Sequence, residues 1–234
     1  MNCLLKIDSL SFSYPGQVMF EGLSLQLNSS QVVGLLGANG EGKSTLLKLL
    51  AGVLPKSAGV LKVCDSEIAP NALTIGYMPE RPLFYPELSV QDNVSFVAQL
   101  HKVDSSGLQQ RVAEIIDRCQ LSEKKRTLAG TLSKGYQQRL GLAMAIVHKP
   151  LLILLDEPID GMDPGQVRET HALIRELSEH SSLLISSHRV FEMTDVCDRV
   201  LFLKNGKIIQ DRLTDGEISH QELSDLFDNL QVGS

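Results

Sequence analysis

Short apolar runs alternate with amphipathic stretches along most of this chain. Residues Val32–Leu36, 151–155, 183–185 and 200–203 are uninterrupted by polar side chains. Runs of this length are strands whose two faces are both covered, and they predict an α/β core around a largely parallel sheet. The first 30 or so residues differ: alternating segments are broken by Tyr14-Pro15-Gly16 and by Asn28-Ser29-Ser30, the pattern of an antiparallel layer with turns. From residue 83 to 147 strand signals vanish, and residues 90–103, 108–119 and 137–147 carry apolar positions at helical spacing. Beyond Gly206 come a short strand over 207–210 and a helix over 220–230 in a polar tail. The expected organisation is therefore a core made of residues 1–82 and 148–216, a helical insertion over 83–147 and a tail over 217–234.

Composition narrows the class without touching the chemistry. With 234 residues, 43% hydrophobic and 21% charged, the chain is ordinary for a globular protein and large enough to fold without disulfides or structural metal. Disordered, collagenous and disulfide-knot classes are excluded. No apolar run approaches the ~20 residues of a membrane span, and the start lacks a basic region followed by a long apolar one. Neither a span nor a secretory signal is expected. Cys3, Cys64, Cys119 and Cys197 lie far apart with no C-x-x-C pair, which suits reduced thiols in a cytoplasm. A net charge of −6 argues against a nucleic-acid partner, and Lys124-Lys125-Arg126 reads as a solvated turn.

Gly37-Ala38-Asn39-Gly40-Glu41-Gly42-Lys43-Ser44-Thr45 fits G-x-x-x-x-G-K-[ST] at every position. An apolar run precedes it and a helical stretch follows, as a phosphate loop requires. Its glycines let backbone N–H groups turn inward as an anion nest, and the helix N-terminus adds its positive end. Lys43 can reach the β- and γ-phosphates of a nucleotide, the Ser44 hydroxyl can ligate Mg²⁺, and Thr45 supports the first helical turn.

Two further strand ends bear chemistry. The run over 151–155 stops at Asp156-Glu157-Pro158, and ligands of open α/β sheets sit beyond the carboxyl ends of their strands. Asp156 is then placed to hold Mg²⁺ and Glu157 to polarise an attacking water as general base. The run over 183–185 delivers His188, an imidazole positioned to bond the γ-phosphate and that water. The other histidines (His101, His148, His171, His180 and His220) read as structural or exposed.

Leu132-Ser133-Lys134-Gly135-Tyr136-Gln137-Gln138-Arg139 resembles the LSGGQ signature of ABC-transporter ATPases and lies just before the carboxylate strand, where that family carries it. The order of phosphate loop, glutamine loop, signature, carboxylate strand, Asp loop and switch histidine is reproduced over roughly residues 4–212. The resemblance implies a P-loop NTPase core with an N-terminal antiparallel β layer and an inserted helical subdomain. It also implies two Mg-ATP sandwiched between two head-to-tail domains, identical or paralogous. Tyr14 matches the aromatic that stacks on adenine. Ser133 and Gly135 match residues that contact the γ-phosphate held by the other subunit, and Asp163, in Gly161-Met162-Asp163-Pro164, matches the Asp loop at the dimer interface.

Three positions depart from the pattern. Lys134 and Tyr136 interrupt LSGGQ without removing Ser133 or Gly135. Glu41 puts an acid in the phosphate loop, at a position expected to face solvent. Glu80, in Tyr77-Met78-Pro79-Glu80, stands where the family usually has a glutamine that touches Mg²⁺ and the water; it is expected to read the metal and to take part in catalysis.

Tyr-x-Pro-Glu together with the signature is similar to the ATPase subunits of ABC-2-type exporters, the branch that includes gliding-motility and copper/nitrous-oxide-reductase maturation systems. The implied function is an ATPase peripheral on the cytoplasmic face of the membrane, driving a separate integral permease through a groove between Glu80 and residues 83–97, with Phe84 and Tyr85 each either a contact there or a core residue. Non-transport ABC ATPases acting on nucleic acid or the ribosome are the rival class. A single ATPase unit and the negative charge favour transport. A regulator with dead catalysis is disfavoured by intact Lys43, Asp156, Glu157 and His188.

Overall fold

The computed structural model describes residues 3–68 and 74–214, together with Glu222 and Asp225. The helix expected over 220–230 lies outside the described residues apart from those two, which are helical and exposed. The strands are β1 (Cys3–Tyr14), β2 (Gln17–Asn28), β3 (Val32–Leu36), β4 (Ala58–Val63), β5 (Ser66–Glu67), β6 (Ile75–Met78), β7 (Leu152–Asp156), β8 (Ser182–Ser187), β9 (Arg199–Lys204) and β10 (Lys207–Leu213). The helices are α1 (Lys43–Leu50), α2 (Val90–Leu100), α3 (Leu108–Arg118), α4 (Lys134–Ile146), α5 (Pro164–Ser178) and α6 (Val190–Thr194).

Two sheets result. One is antiparallel, in the order β2-β1-β4-β5; the other has the order β10-β9-β3-β8-β7-β6 and is parallel except at β10. This is the α/β architecture with an antiparallel N-terminal layer that the hydrophobic pattern predicts. The period-2 alternation of side chains sorts the central strands into two cores. Val33, Leu35, Leu152, Leu154 and Leu184 face α1 and the antiparallel sheet, with Leu46, Leu47, Leu49 and Leu50 between the layers. On the opposite face Val32, Leu36, Ile153, Leu155, Leu183 and Ile185 pack with residues of α2 to α5. Both faces are covered, so all five residues of β3 and of β7 are buried.

Between β6 and β7 the described chain is helical. Ser89 starts α2 by accepting the Asp92 N–H (3.1 Å), a Ser-x-x-Asp cap. Helix α4 begins at Lys134, earlier than the spacing over 137–147 indicates. Its amphipathic signal is weak because Gln138, Arg139, Leu140, Gly141, Leu142 and Ala143 are all buried, nearly all round the helix. It lies close on β6: a Cβ on Gly76 would collide with the Ala145 carbonyl oxygen.

The β4–β5 hairpin and helices α5 and α6 had no counterpart among the expected elements. The hairpin turns at Cys64-Asp65, both left-handed (φ 48° and 62°), without the Asn-Gly or Gly-Gly pair that advertises such a turn. His101 and His148 stack face to face, ring centroids 3.8 Å apart. Burial, with His101 beside it, pulls His148 down to about 4, so it is neutral at pH 7 and structural as expected.

Candidate nucleotide site

The phosphate loop leaves β3 at Leu36 and enters α1 at Lys43 through two left-handed glycines, Gly40 (φ 90°) and Gly42 (φ 101°). Gly42 has a second constraint, since a Cβ there would lie 2.9 Å from the Phe20 ring of β2. The Lys43 ammonium curls back into the loop, donating to the carbonyls of Gly37 (2.7 Å) and Ala38 (3.1 Å). Burial lowers its pKa, while the carboxylates of Glu157, Asp156, Glu41 and Glu80 oppose that shift. One lysine thus faces four acids. Over the loop opens a cleft of about 540 Å³, lined by Tyr14, Gln17, Met19, Asn39, Gly40, Gly42, Lys43, Ser44, Thr45, Glu80, Glu157, Asp160 and His188.

The carboxyl ends of β7 and β8 supply the acids and the imidazole. Asp156 is 1% exposed, and its Oδ1 accepts the Ser186 hydroxyl at 2.5 Å. Glu157 is left-handed (φ 50°), a conformation that costs a non-glycine residue about 1–3 kcal/mol. Its N–H is held by β8, donating to the Ser186 carbonyl (3.2 Å) and hydroxyl (3.1 Å). That backbone turn aims the side chain into the cleft, where Oε1 lies 3.0 Å from His188 Nδ1. Tyr14 stands at the rim, its ring edge-on to Phe12 and its hydroxyl 3.4 Å from Thr45 Oγ1.

Residues 20–160 match the protein family described as ABC transporter, more than half of the chain. The chain belongs to the ABC transporter ATP-binding family. It is 36% identical over 205 residues to the uncharacterized ABC transporter ATP-binding protein YxlF of Bacillus subtilis (strain 168), covering 88% of this chain and 69% of that one. To the lantibiotic transport ATP-binding protein SrtF of Streptococcus pyogenes it is 32% identical over 228 residues, covering 97% and 96%. The solved structure of CbiO1 from Clostridium perfringens, part of the ABC transporter complex CbiONQ, superposes with a TM-score of 0.83 at 26% identity, covering 100% of this chain and 97% of the other. An ATP-binding domain of this family is an ATPase, and the cleft around Lys43 is where its loop, acids and imidazole meet.

Not every expected site residue of this ABC ATP-binding domain enters its own cleft. Gly37 lies beneath, lending a carbonyl to Lys43, and Asp156 is buried and does not line the cleft. Ser133 is the exposed N-cap of α4, and Gly135 is buried against Gln166, whose Oε1 a Cβ there would strike. Asp163 caps α5, its Oδ1 accepting the N–H groups of Gly165 (2.9 Å) and Gln166 (3.0 Å). None of Ser133, Gly135 and Asp163 lines the cleft.

One expectation is corrected, and one open alternative is resolved. Glu41 does not simply face solvent: its carboxylate accepts the Asn205 N–H and ties the phosphate loop to the β9–β10 turn. Phe84 packs against the core instead of offering a free contact, whereas Tyr85 is 52% exposed with its ring edge-on to Phe96. Gln17, Met19 and Asp160 belong to the cleft and are singled out by no motif. Asp160 has one signal, its place three residues beyond Glu157 in the loop after a carboxylate strand.

Among the described residues no group of three His, Cys, Asp or Glu forms a metal cage, and no helix is long and apolar enough to cross a membrane. Mg²⁺ is seldom held by a protein cage; one or two carboxylates together with substrate phosphates and water are its usual ligands. Buried Asp156 and the Ser44 hydroxyl beside Lys43 suit that arrangement.

Proposed function

We propose that this chain is the energy-converting subunit of an ABC-2-type exporter, hydrolysing Mg-ATP in a head-to-tail pair and driving a separate membrane permease from the cytoplasmic face. The observation that carries the head-to-tail pair is that the cleft gathers Lys43, Glu157 and His188 but none of the signature residues; the exporter branch rests on the resemblance of Tyr77-Met78-Pro79-Glu80 and the signature. A complete site then needs Ser133 and Gly135 from a second chain, identical or paralogous.

In this reading Tyr14 stacks on adenine, and the N–H groups from Gly37 to Thr45 cradle the phosphates with Lys43. Ser44, Asp156 and Glu80 would hold Mg²⁺, which would supply charge neutralisation for the phosphate groups. Glu157 accepts the proton of the attacking water, and His188 orients Glu157 through the 3.0 Å contact while facing the γ-phosphate. Asp163, at the start of α5, couples the two sites across the interface. Residues 83–147 act as the helical subdomain that brings the signature to the partner's nucleotide.

The permease docks in a groove of about 340 Å³ beside Glu80, lined among others by Lys48, Val53, Pro82, Leu83, Val97 and His101. Leu83, 80% exposed, is the apolar contact the groove offers. A short amphipathic segment of the permease fits this surface, which mixes apolar side chains with polar edges.

ATP turnover by the chain co-purified with its permease in lipid, set beside the chain alone and the chain with added DNA or RNA, tests this reading. Lipid-embedded complex should turn over several-fold faster than the chain, with no response to nucleic acid; stimulation by nucleic acid alone would support the rival class. In the same assay Glu80→Gln should alter Mg²⁺ dependence and weaken the stimulation. If both stay unchanged, Glu80 does not read the metal.

A further inference from the structure

At the point where the signature departs from LSGGQ, Lys134 makes contacts that no glycine could. Its Nζ lies 2.6 Å from Asp160 Oδ2, across 26 residues of sequence. The aliphatic stem runs over Gly161, whose left-handed backbone (φ 77°) favours glycine and where a Cβ would come within 2.6 Å of Lys134 Cδ. One residue on, Gly135 lies against Gln166, and Gln166 Oε1 in turn accepts the Asp163 N–H at 3.4 Å. A turn further along α4, Arg139 donates to Glu169 of α5 at 2.5 Å. The first turns of α4 and the loop from Asp160 into α5 are thus joined side by side, with Lys134–Asp160 at the end nearest the nucleotide cleft.

Asp160 belongs to that cleft, three residues past Glu157. The hydrogen bond from Lys134 holds its carboxyl below the usual carboxylate range. Both side chains are substantially exposed, 58% for Lys134 and 31% for Asp160. Exposed pairs contribute little to folding, so this one is not explained as a stabilising element. Its geometric consequence is clearer, because it joins a loop that borders the chain's own nucleotide to the segment carrying Ser133 and Gly135.

We propose that Lys134 and Asp160 are a pair of positioning residues, a tether that sets the signature turn against the loop following Glu157 so that both sites of the head-to-tail pair close together. The proposal rests on the two-chain reading above. In that reading Ser133 and Gly135 serve the partner's ATP while Asp160 borders the chain's own. A displacement at one site then moves the donors of the other. Neither residue transfers a proton or binds the γ-phosphate; the pair acts through the groups it aligns, and misalignment of about 1 Å lowers rate far more than affinity.

The test uses the full-length chain. ATP turnover would be measured for Lys134→Ala, Asp160→Asn, their double variant, the charge swap Lys134→Asp/Asp160→Lys and the conservative Lys134→Arg, with ATPγS affinity by calorimetry and thermal melts alongside. Each single change should lower kcat about tenfold while ATPγS affinity stays within about twofold, a split between rate and binding that a merely structural residue does not produce. The double variant should be no slower than either single one, the sign of one shared interaction, and the swap and Lys134→Arg should recover most of the rate. Single variants with wild-type kcat, losses that multiply in the double, or a swap as slow as the singles would overturn the tether. Should the Asp160→Lys chain not fold, the rate of Lys134→Arg against that of Lys134→Ala decides the question in its place: recovery supports the tether, and equal loss overturns it. A Glu157→Gln chain that keeps the single-chain mass when saturated with Mg-ATP removes the two-chain reading and the tether with it; wild-type turnover with indifferent variants removes the tether alone.

Discussion

Lys43→Ala should lose roughly 100-fold or more in ATP affinity. Lys43, 6% exposed, is the cation at the floor of the cleft, and its ammonium donates to the carbonyls of Gly37 and Ala38. Charge-assisted hydrogen bonds to phosphate contribute about 1.5–3 kcal/mol each, and about 3 kcal/mol in total corresponds to a 100-fold change in Kd. The loss is compounded because Glu157, Asp156, Glu41 and Glu80 all act on this lysine. Without it their charge repels the triphosphate. Folding is at little risk, because alanine is the best residue in a helix and position 43 opens α1. Calorimetric titration with ATP, beside a thermal melt, measures the effect; near-wild-type affinity in a folded variant would mean that the loop is not the phosphate cradle.

Glu157→Gln should act in the opposite way, preserving nucleotide binding and abolishing turnover. The amide keeps the size of the side chain and can still meet His188 Nδ1, 3.0 Å away in the native pair. It cannot accept a proton from water. Loss of a positioned general base costs roughly 10²–10⁴-fold in rate. The backbone argues for function at this residue as well, since a left-handed glutamate (φ 50°) is retained at a cost in stability and held by two bonds from its N–H to Ser186. Single-turnover hydrolysis by the variant, compared with wild type, reads the chemical step. A variant that hydrolyses ATP within a few-fold of wild type would assign the base elsewhere.

What could be read from the sequence follows from how local each feature is. The phosphate loop is nine consecutive residues between a strand and a helix, so its glycines and Lys43 were legible as a unit and are where the motif predicts. Asp156, Glu157 and His188 were legible because strand ends of a parallel sheet converge on one edge, and β7 and β8 are hydrogen-bonded neighbours. Asp160, Gln17 and Met19 reach the cleft only through tertiary packing, and no spacing announces that. Glu41 shows the same limit: its partner Asn205 lies 164 residues away, in an Asn-Gly turn that announces the β9–β10 hairpin but not its contact with the phosphate loop. Helix α5 does carry a local signal, Asp163-Pro164 followed by Gln166, which forms a capping box with proline at the first turn. Helix α4 is obscured differently; burial nearly all round leaves its sequence without the one-sided stripe that marks a surface helix.

The separation of Ser133 and Gly135 from the cleft of their own chain supports the proposal that one chain holds half of a working site. The most direct measurement is the solution mass of Glu157→Gln by light scattering on a sizing column, with Mg-ATP, with ADP and without nucleotide. A head-to-tail pair trapped before hydrolysis predicts a mass about twice 25.7 kDa with Mg-ATP, returning to the single-chain value in the other two conditions. A mass that stays at 25.7 kDa with the site saturated by ATP would contradict the two-chain site.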